Sequence, residues 1–137
     1  MINRPSRRET LVGTLAGLTA VAGSYVAAGW SPTFVVAPID QWIVNTTPGA
    51  IVTFMIENVG NAGHLLHIAM AVATVLGLFG LLSFVGLRIA DRVGNPLIGG
   101  LVAGPLGWLL TVALTREPLV ALASAGPLAV FLVLGGV

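Results

Sequence analysis

Charged residues are confined to four groups along the chain, and long apolar stretches without any charge separate these groups. A helix of about 20 apolar residues crosses the roughly 30 Å of hydrocarbon in a bilayer. Only helices and closed barrels satisfy every backbone hydrogen bond in lipid, and the stretches lack the alternating pattern of barrel strands. The sequence therefore predicts an all-α membrane protein with four transmembrane helices, at residues 10–30, 64–87, 97–115 and 119–137.

The composition excludes several classes of protein. Of the 137 residues, 56% are hydrophobic and 8% are charged, whereas soluble domains carry roughly 25% charged residues. The net charge of +1 excludes a nucleic-acid-binding protein, which needs a clustered basic face. Because the chain has no cysteine, it has no disulfide, no cysteine-based metal site and no thiol nucleophile. The lipid bilayer is the predicted partner.

The distribution of arginine predicts how the spans are oriented. Every arginine except Arg116 lies in residues 1–9 or in the loop 88–96. Because arginine is enriched in cytoplasmic segments, we expect a multi-pass protein of the plasma membrane with a cytoplasmic N-terminus. The loop 31–63 and the turn 116–118 are then outside the cell. The arginines that set this topology are Arg4, Arg7, Arg8, Arg88 and Arg92.

The outer loop 31–63 has the pattern of two short amphipathic helices. Ser31 and Thr47 each precede a proline, which is typical of a helix N-cap. We expect both helices to lie in the outer membrane interface, and the alternative is that they cap the bundle against its own loops. The two apolar stripes are Ile39, Trp42 and Ile43, and then Ile51, Met55 and Val59. Asn45 begins an Asn-Thr-Thr glycosylation pattern on this outer side.

His64 and His67 are the candidate cofactor-binding residues. They are the chain's only imidazoles, and their spacing places them roughly on one helical face near the outer end of the second span. Ionisable groups in membrane spans often mark functional sites, so these residues could contact haem or quinone. A haem held in a bundle would need an imidazole from a facing helix as well, so the two histidines could also be a half-site that another subunit completes. The alternative, which we favour, is that both histidines are interfacial residues with a polar tip toward water.

Glycine spacing predicts how closely the helices pack, and two Gly-Pro pairs raise the question of broken helices. Gly13 and Gly17, like Gly100 and Gly104, have the spacing that lets transmembrane helices approach closely, within one chain or in a homo-oligomer. Gly-Pro pairs at 104–105 and 126–127 interrupt the third and fourth spans at matching positions, as the broken helices of a small transporter or channel protomer would. We favour proline kinks packed against each other.

The sequence contains no residue pattern that is typical of an enzyme active site. The sequence holds no Ser-His-Asp set, no metal-ligand cluster, no phosphate-binding loop and no paired carboxylates. We therefore predict no catalytic residue, no metal site and no cofactor within the chain itself. Because the chain ends at Val137 inside apolar sequence, we interpret it as a truncated product.

Several segments together carry a family resemblance. They are the Ser6-Arg7-Arg8 start, a Gly/Ala-rich first span ending in residues 23–29, the linker 31–38, the turn 47–50 and the Gly60-Asn61-Ala62-Gly63-His64 opening of the second span. These resemble the N-terminal membrane region of haloarchaeal molybdopterin-dependent oxidoreductases of the sulfite-oxidase type. Residues 6–11 also resemble a twin-arginine export signal, but we favour an ordinary basic flank that fixes the orientation of the first span.

The resemblance implies that the chain is archaeal and that it is a membrane anchor. The molybdopterin would then bind in a missing C-terminal domain, and the parent protein would be an oxidoreductase. Four spans return the chain to the inside, so an external catalytic domain would need a fifth span. Two alternatives stay open: a membrane subunit of an electron-transfer complex that contacts haem or quinone through His64 and His67, and a small transporter or channel protomer.

Overall fold

The computed structural model describes residues 6–135, and this part of the chain forms six helices and no strand. Four helices are long and apolar enough to cross a membrane. The prediction of an all-α membrane protein with four spans, and with short helices between the first and the second, is therefore confirmed. The helices are α1 (Arg7–Ala28), α2 (Val36–Thr46), α3 (Gly49–Asn58), α4 (Asn61–Val93), α5 (Pro96–Thr115) and α6 (Pro118–Gly135). The predicted residues Arg4, Gly136 and Val137 lie outside the described part.

The four long helices form a closed ring in which every neighbour runs antiparallel. Helix α1 packs against α4 and α6, and α5 packs against the same two helices from the other side. Helices α2 and α3 lie at the end of the ring where α4 and α6 begin, which we call the capped end. The opposite end, which we call the basic end, carries Arg7, Arg8, Arg88 and Arg92.

Helix α1 begins three residues earlier than the predicted span because a capping box starts it. The Ser6 hydroxyl accepts a hydrogen bond from the Glu9 backbone N–H at 3.1 Å, and the Glu9 carboxylate accepts one from the Ser6 N–H at 2.7 Å. This reciprocal pair satisfies two backbone donors that would otherwise lack partners. The Ser-x-x-Glu pattern at residues 6–9 was the sequence signal for this start.

Helix α4 is longer than the predicted span 64–87 at both ends. Its 33 residues correspond to about 50 Å of helix, which exceeds the roughly 30 Å of hydrocarbon. Arg88, Asp91 and Arg92 therefore lie on the last turns of α4 rather than in a loop 88–96. The helix ends only at Gly94, which adopts the left-handed conformation (φ 69°) that favours glycine. The Asn95 side chain then caps α5 by accepting from the Leu97 N–H at 3.0 Å.

Both Gly-Pro pairs lie inside continuous helices. Pro105 is exposed on α5, whereas Pro127 of α6 lies beside Gly23 of α1. The Pro127 ring therefore contacts α1, whereas Pro105 lines a groove between α5 and α6 that Gly126 also lines, and the packing of the two kinks against each other stays a prediction. At the capped end, α5 and α6 are joined through Arg116 and Glu117, where the Trp108 indole N–H donates to the Pro118 carbonyl at 3.0 Å.

Small residues bring the helix backbones together. Gly13 and Gly17 face α4, with the Gly17 position 3.3 Å from the Leu76 carbonyl oxygen when a Cβ is added. Gly100 and Gly104 face Ala129 on α6. Both glycine pairs therefore pack against helices of the same chain. The tightest approaches to a facing backbone involve other glycines: an added Cβ at Gly23 would overlap the Ala123 carbonyl, and one at Gly99 would lie 2.9 Å from the Gly86 carbonyl oxygen.

The centre of the ring is filled by apolar side chains. Among its fully buried members are Val75 and Phe79 of α4, and Leu128 of α6. The buried hydroxyls of Ser83 and Thr111 each donate to the carbonyl one turn earlier in their own helix, at 2.8 and 2.9 Å. The interior is therefore a packed apolar core, and these two hydroxyls bond within their own helices.

We predict that Gly23→Ala destabilises the bundle by about 1–3 kcal/mol, because a methyl group there must push α1 away from α6. Gly77→Ala is the matched control: an added Cβ at this exposed position of α4 meets nothing within 4 Å, so removing the glycine should stabilise the helix by up to about 1 kcal/mol. Thermal unfolding in detergent measures both. Equal midpoints for the two variants would contradict the close approach at Gly23.

Candidate functional site

The end of the connection between α1 and α2 is buried in the capped end of the bundle, together with the first residue of α2. Phe34, Val35 and Val36 are each at most 2% exposed. The hydroxyl of Ser24, itself buried in α1, accepts a hydrogen bond from the Val35 N–H at 2.8 Å. This bond fixes the start of α2 over the end of the ring, and so it positions everything that α2 carries.

The predicted N-caps Ser31 and Thr47 are both wrong. Ser31 lies in a turn before α2, where its hydroxyl is 2.8 Å from that of Thr33, and α2 begins only after Val35. The Thr47 hydroxyl donates to the Ile43 carbonyl at 2.7 Å and so belongs to the end of α2, while Pro48 precedes α3. Threonine hydroxyls readily bond back to the carbonyl one turn earlier, and this bond competes with an N-cap.

The two short helices differ in how they are held. Ile39 of α2 is buried and α2 packs against α4, so the bundle holds α2, while its position in the membrane interface stays a prediction. Helix α3 has no buried residue. It rests on α4 where Gly63 leaves room for Met55 and Val59, whose Cβ atoms lie 3.7 and 3.9 Å from an added Cβ. Helix α3 is therefore held loosely beside the bundle.

Two grooves between these helices meet at His67 and Met55. The first, of about 220 Å³, lies between α3 and α4 and is also lined by His64, Val52 and Ile56. The second, of about 410 Å³, lies among α2, α3 and α4. Its further lining residues include Trp42, Ile43, Ile51 and Met70. We call the two together the His67 groove, and it is our candidate site.

The two histidines have different surroundings. His64 is exposed, whereas His67 is half-buried and its Nδ1 atom has neither exposed surface nor a hydrogen-bond partner in the described part of the chain. A buried polar atom without a partner typically costs about 1–3 kcal/mol. His67 therefore differs from an interfacial residue whose polar tip simply meets water, and it is the stronger of the two predicted ligand contacts.

A b-type haem fits this arrangement poorly. Haem held in a helical bundle takes axial imidazoles from facing helices, and both histidines of this chain lie on α4. Groups of three or more potential metal-ligating side chains do not occur within residues 6–135. The geometry instead offers imidazoles from a single helix at the wall of an apolar groove.

At the basic end, the arginines predicted to set the topology also hold helix ends together. The Arg88 Nε lies 3.8 Å from a carboxylate oxygen of Glu9, and its guanidinium lies 4.8 Å from the centre of the Phe84 ring. Arg8 donates to the Gly135 carbonyl at 2.9 Å, at the end of α6. A cation is favourable at this position because helix C-termini carry partial negative charge.

The remaining predicted positions lie apart from the His67 groove. Asn45 is exposed in the last turn of α2, so its side chain is accessible. Gly104, Pro105 and Gly126 line an apolar groove of about 450 Å³ on the outer surface between α5 and α6. Gly104 is buried against α6, whereas Pro105 and Gly126 are exposed at the surface of the bundle.

The fold and the composition define the class: this is a membrane protein built as a helical bundle. Comparisons with protein family models, curated proteins and solved structures find no match to the chain. Its function is therefore argued from its own residues.

We predict that Ser24→Ala lowers the free energy of unfolding by about 1–3 kcal/mol, because the buried Val35 N–H loses its acceptor. Thr14→Ala, on the exposed face of the same helix, should change it by less than about 0.5 kcal/mol. Chemical unfolding in detergent micelles measures the difference. Limited proteolysis adds a local readout, since faster cleavage at residues 29–35 is expected only in the Ser24 variant.

Proposed function

We propose that this chain is the membrane anchor of a molybdopterin-dependent, sulfite-oxidase-like oxidoreductase whose catalytic domain lies outside the chain. The observation that supports it best is the closed ring of four antiparallel helices with a packed apolar core. Such a bundle is suited to holding an attached domain at a membrane rather than to moving a solute. The molybdopterin would bind in that domain, and no residue of this chain is assigned to it.

The charge distribution supports a cytoplasmic basic end. Within the described residues, the basic end carries four arginines, whereas the capped end carries Arg116 together with three carboxylates, Asp40, Glu57 and Glu117. By the preference of arginine for the cytoplasmic side, the N-terminus lies inside and the capped end faces outward across the plasma membrane. The His67 groove then lies on the outer side.

The direction of α6 places a condition on this proposal. Helix α6 runs from the capped end to the basic end. A catalytic domain on the outer side must therefore be reached through a further span, or it must belong to a separate redox partner subunit that binds the capped end.

Reading the gene beyond the codon for Val137 tests the proposal directly. An open frame that continues through a fifth apolar segment into a soluble domain with molybdopterin-binding residues is the expected result. A stop codon directly after Val137, together with natively purified protein that contains no molybdenum, would overturn it.

Single-cysteine labelling tests the orientation, because the chain has no native cysteine. Glu57 on α3 and Asp91 on α4 are both exposed and lie near opposite ends of the bundle. We expect a membrane-impermeant maleimide to label Glu57→Cys in intact cells and Asp91→Cys only after the cells are opened. The reverse pattern would place the N-terminus outside and contradict the proposed topology.

A second candidate function is a membrane subunit of an electron-transfer complex. The observation that favours it is the half-buried His67, whose Nδ1 has no partner in the described structure and which lies where two apolar grooves meet. This candidate is compatible with an anchor, since an anchor that binds a redox carrier would bring the carrier to the attached enzyme.

A further inference from the structure

We propose that the His67 groove binds a quinone-class molecule, which has a flat ring with carbonyl oxygens and an apolar tail, and that His67 hydrogen-bonds to one ring oxygen. This inference rests on the second candidate function and gives it a ligand. It does not depend on whether a molybdopterin domain is attached, so the two proposals fail separately.

Among the polar side chains that line the groove, His67 is the one that lies where its two parts meet. The hydroxyls of Thr46 and Thr47 donate to the carbonyls of Trp42 and Ile43, each at 2.7 Å within α2. His67 has no such bond among the described residues. One imidazole therefore supplies directional recognition in a groove whose other walls are mostly apolar, which is the usual composition of a small-molecule site.

The burial of Nδ1 indicates which nitrogen faces the ligand. A neutral imidazole carries its proton on one nitrogen and accepts at the other. A buried N–H without a partner is less well tolerated than an unpaired acceptor, so the proton belongs on Nε2, on the ring edge left to face the grooves. His67 then presents a donor, and a donor selects a ligand with a carbonyl oxygen.

The absence of charge along the groove separates this ligand from other membrane molecules. No Arg, Asp or Glu lines either part of the groove. A phospholipid headgroup or the propionates of a haem would enter without a compensating cation, at a substantial desolvation cost. An uncharged quinone ring carries no such cost.

The walls suit an aromatic ring. Met55 lies at the junction of the two grooves, and Met70 and Trp42 line the larger one. Methionine sulfur makes favourable contacts with aromatic rings, and its flexible side chain adapts to irregular shapes. A flat ring beside His67 would therefore meet polarizable groups from all three helices.

The surroundings of the groove indicate that the ligand arrives from the membrane. Exposed apolar side chains continue outward from it, with Ile51 of α3 51% exposed and Met70 of α4 47% exposed. A water-soluble ligand would not need such a rim, whereas an apolar tail in the bilayer would lie against it. Helix α3, which has no buried residue, can shift to admit the ring.

The test uses the full chain in lipid nanodiscs and decyl-benzoquinone as the probe, with quenching of tryptophan fluorescence as the signal. Trp42 lines the groove, whereas Trp30 and Trp108 lie outside it, so saturable quenching that disappears in Trp42→Phe is expected. In His67→Leu the Kd should rise roughly tenfold, which corresponds to the loss of one buried hydrogen bond. In Leu65→Ala, an exposed change on the same helix that lies outside the groove, it should change by less than about twofold.

Two further measurements keep the result unambiguous. His67→Gln retains a donor, so it should bind the quinone more tightly than His67→Leu, which separates the hydrogen bond from a general loss of structure. Decylbenzene has the tail without the carbonyls and should not compete. Equal binding by His67→Leu, competition by decylbenzene, or quenching that persists in Trp42→Phe would each overturn the proposal. A b-type absorption band that appears with hemin and is lost in His67→Leu would reassign the site to haem.

Discussion

Close backbone contact between neighbouring helices is the constraint on which this structure depends. In a bilayer the lipid tails are as apolar as the side chains, so helices associate through packing rather than through exclusion of water. The approach of Gly23 to Ala123 closes the ring between α1 and α6, and that of Gly99 to Gly86 closes it between α4 and α5. Without these contacts there would be no rigid end on which α2 could rest.

The capped end inherits its geometry from that ring. Ser24 is buried in α1, and its bond to the Val35 N–H holds the first residues of α2 across the ends of the neighbouring helices. Helix α2 is therefore fixed, while α3 touches α4 only lightly beside Gly63. A fixed wall opposite a loosely held one produces a groove that can admit a ligand, and His67 lies on the fixed side.

The two ends of the bundle serve different roles in the proposed function. The basic end joins α1, α4 and α6 through Arg88 and Arg8, and its charge is suited to the cytoplasmic face. At the capped end, most of the charged side chains are carboxylates, and the His67 groove lies at this end as well. An anchor of this form would present a redox carrier on the same side of the membrane as the enzyme that it holds.

The sequence by itself determined the all-α class and the number of spans, because the lengths of charge-free apolar sequence must match the bilayer. It also indicated that short helices follow the first span. The start of α1 was readable from Ser6 and Glu9, although the charge pattern alone placed it later. Only the tertiary structure decided which glycines form the tight contacts. Gly23 has no second glycine four residues away in the sequence, and its role depends on facing Ala123. It also decided that His64 is exposed while His67 is half-buried, because burial on one helical face depends on where α2 and α3 pack, and residue spacing along α4 carries no information about that.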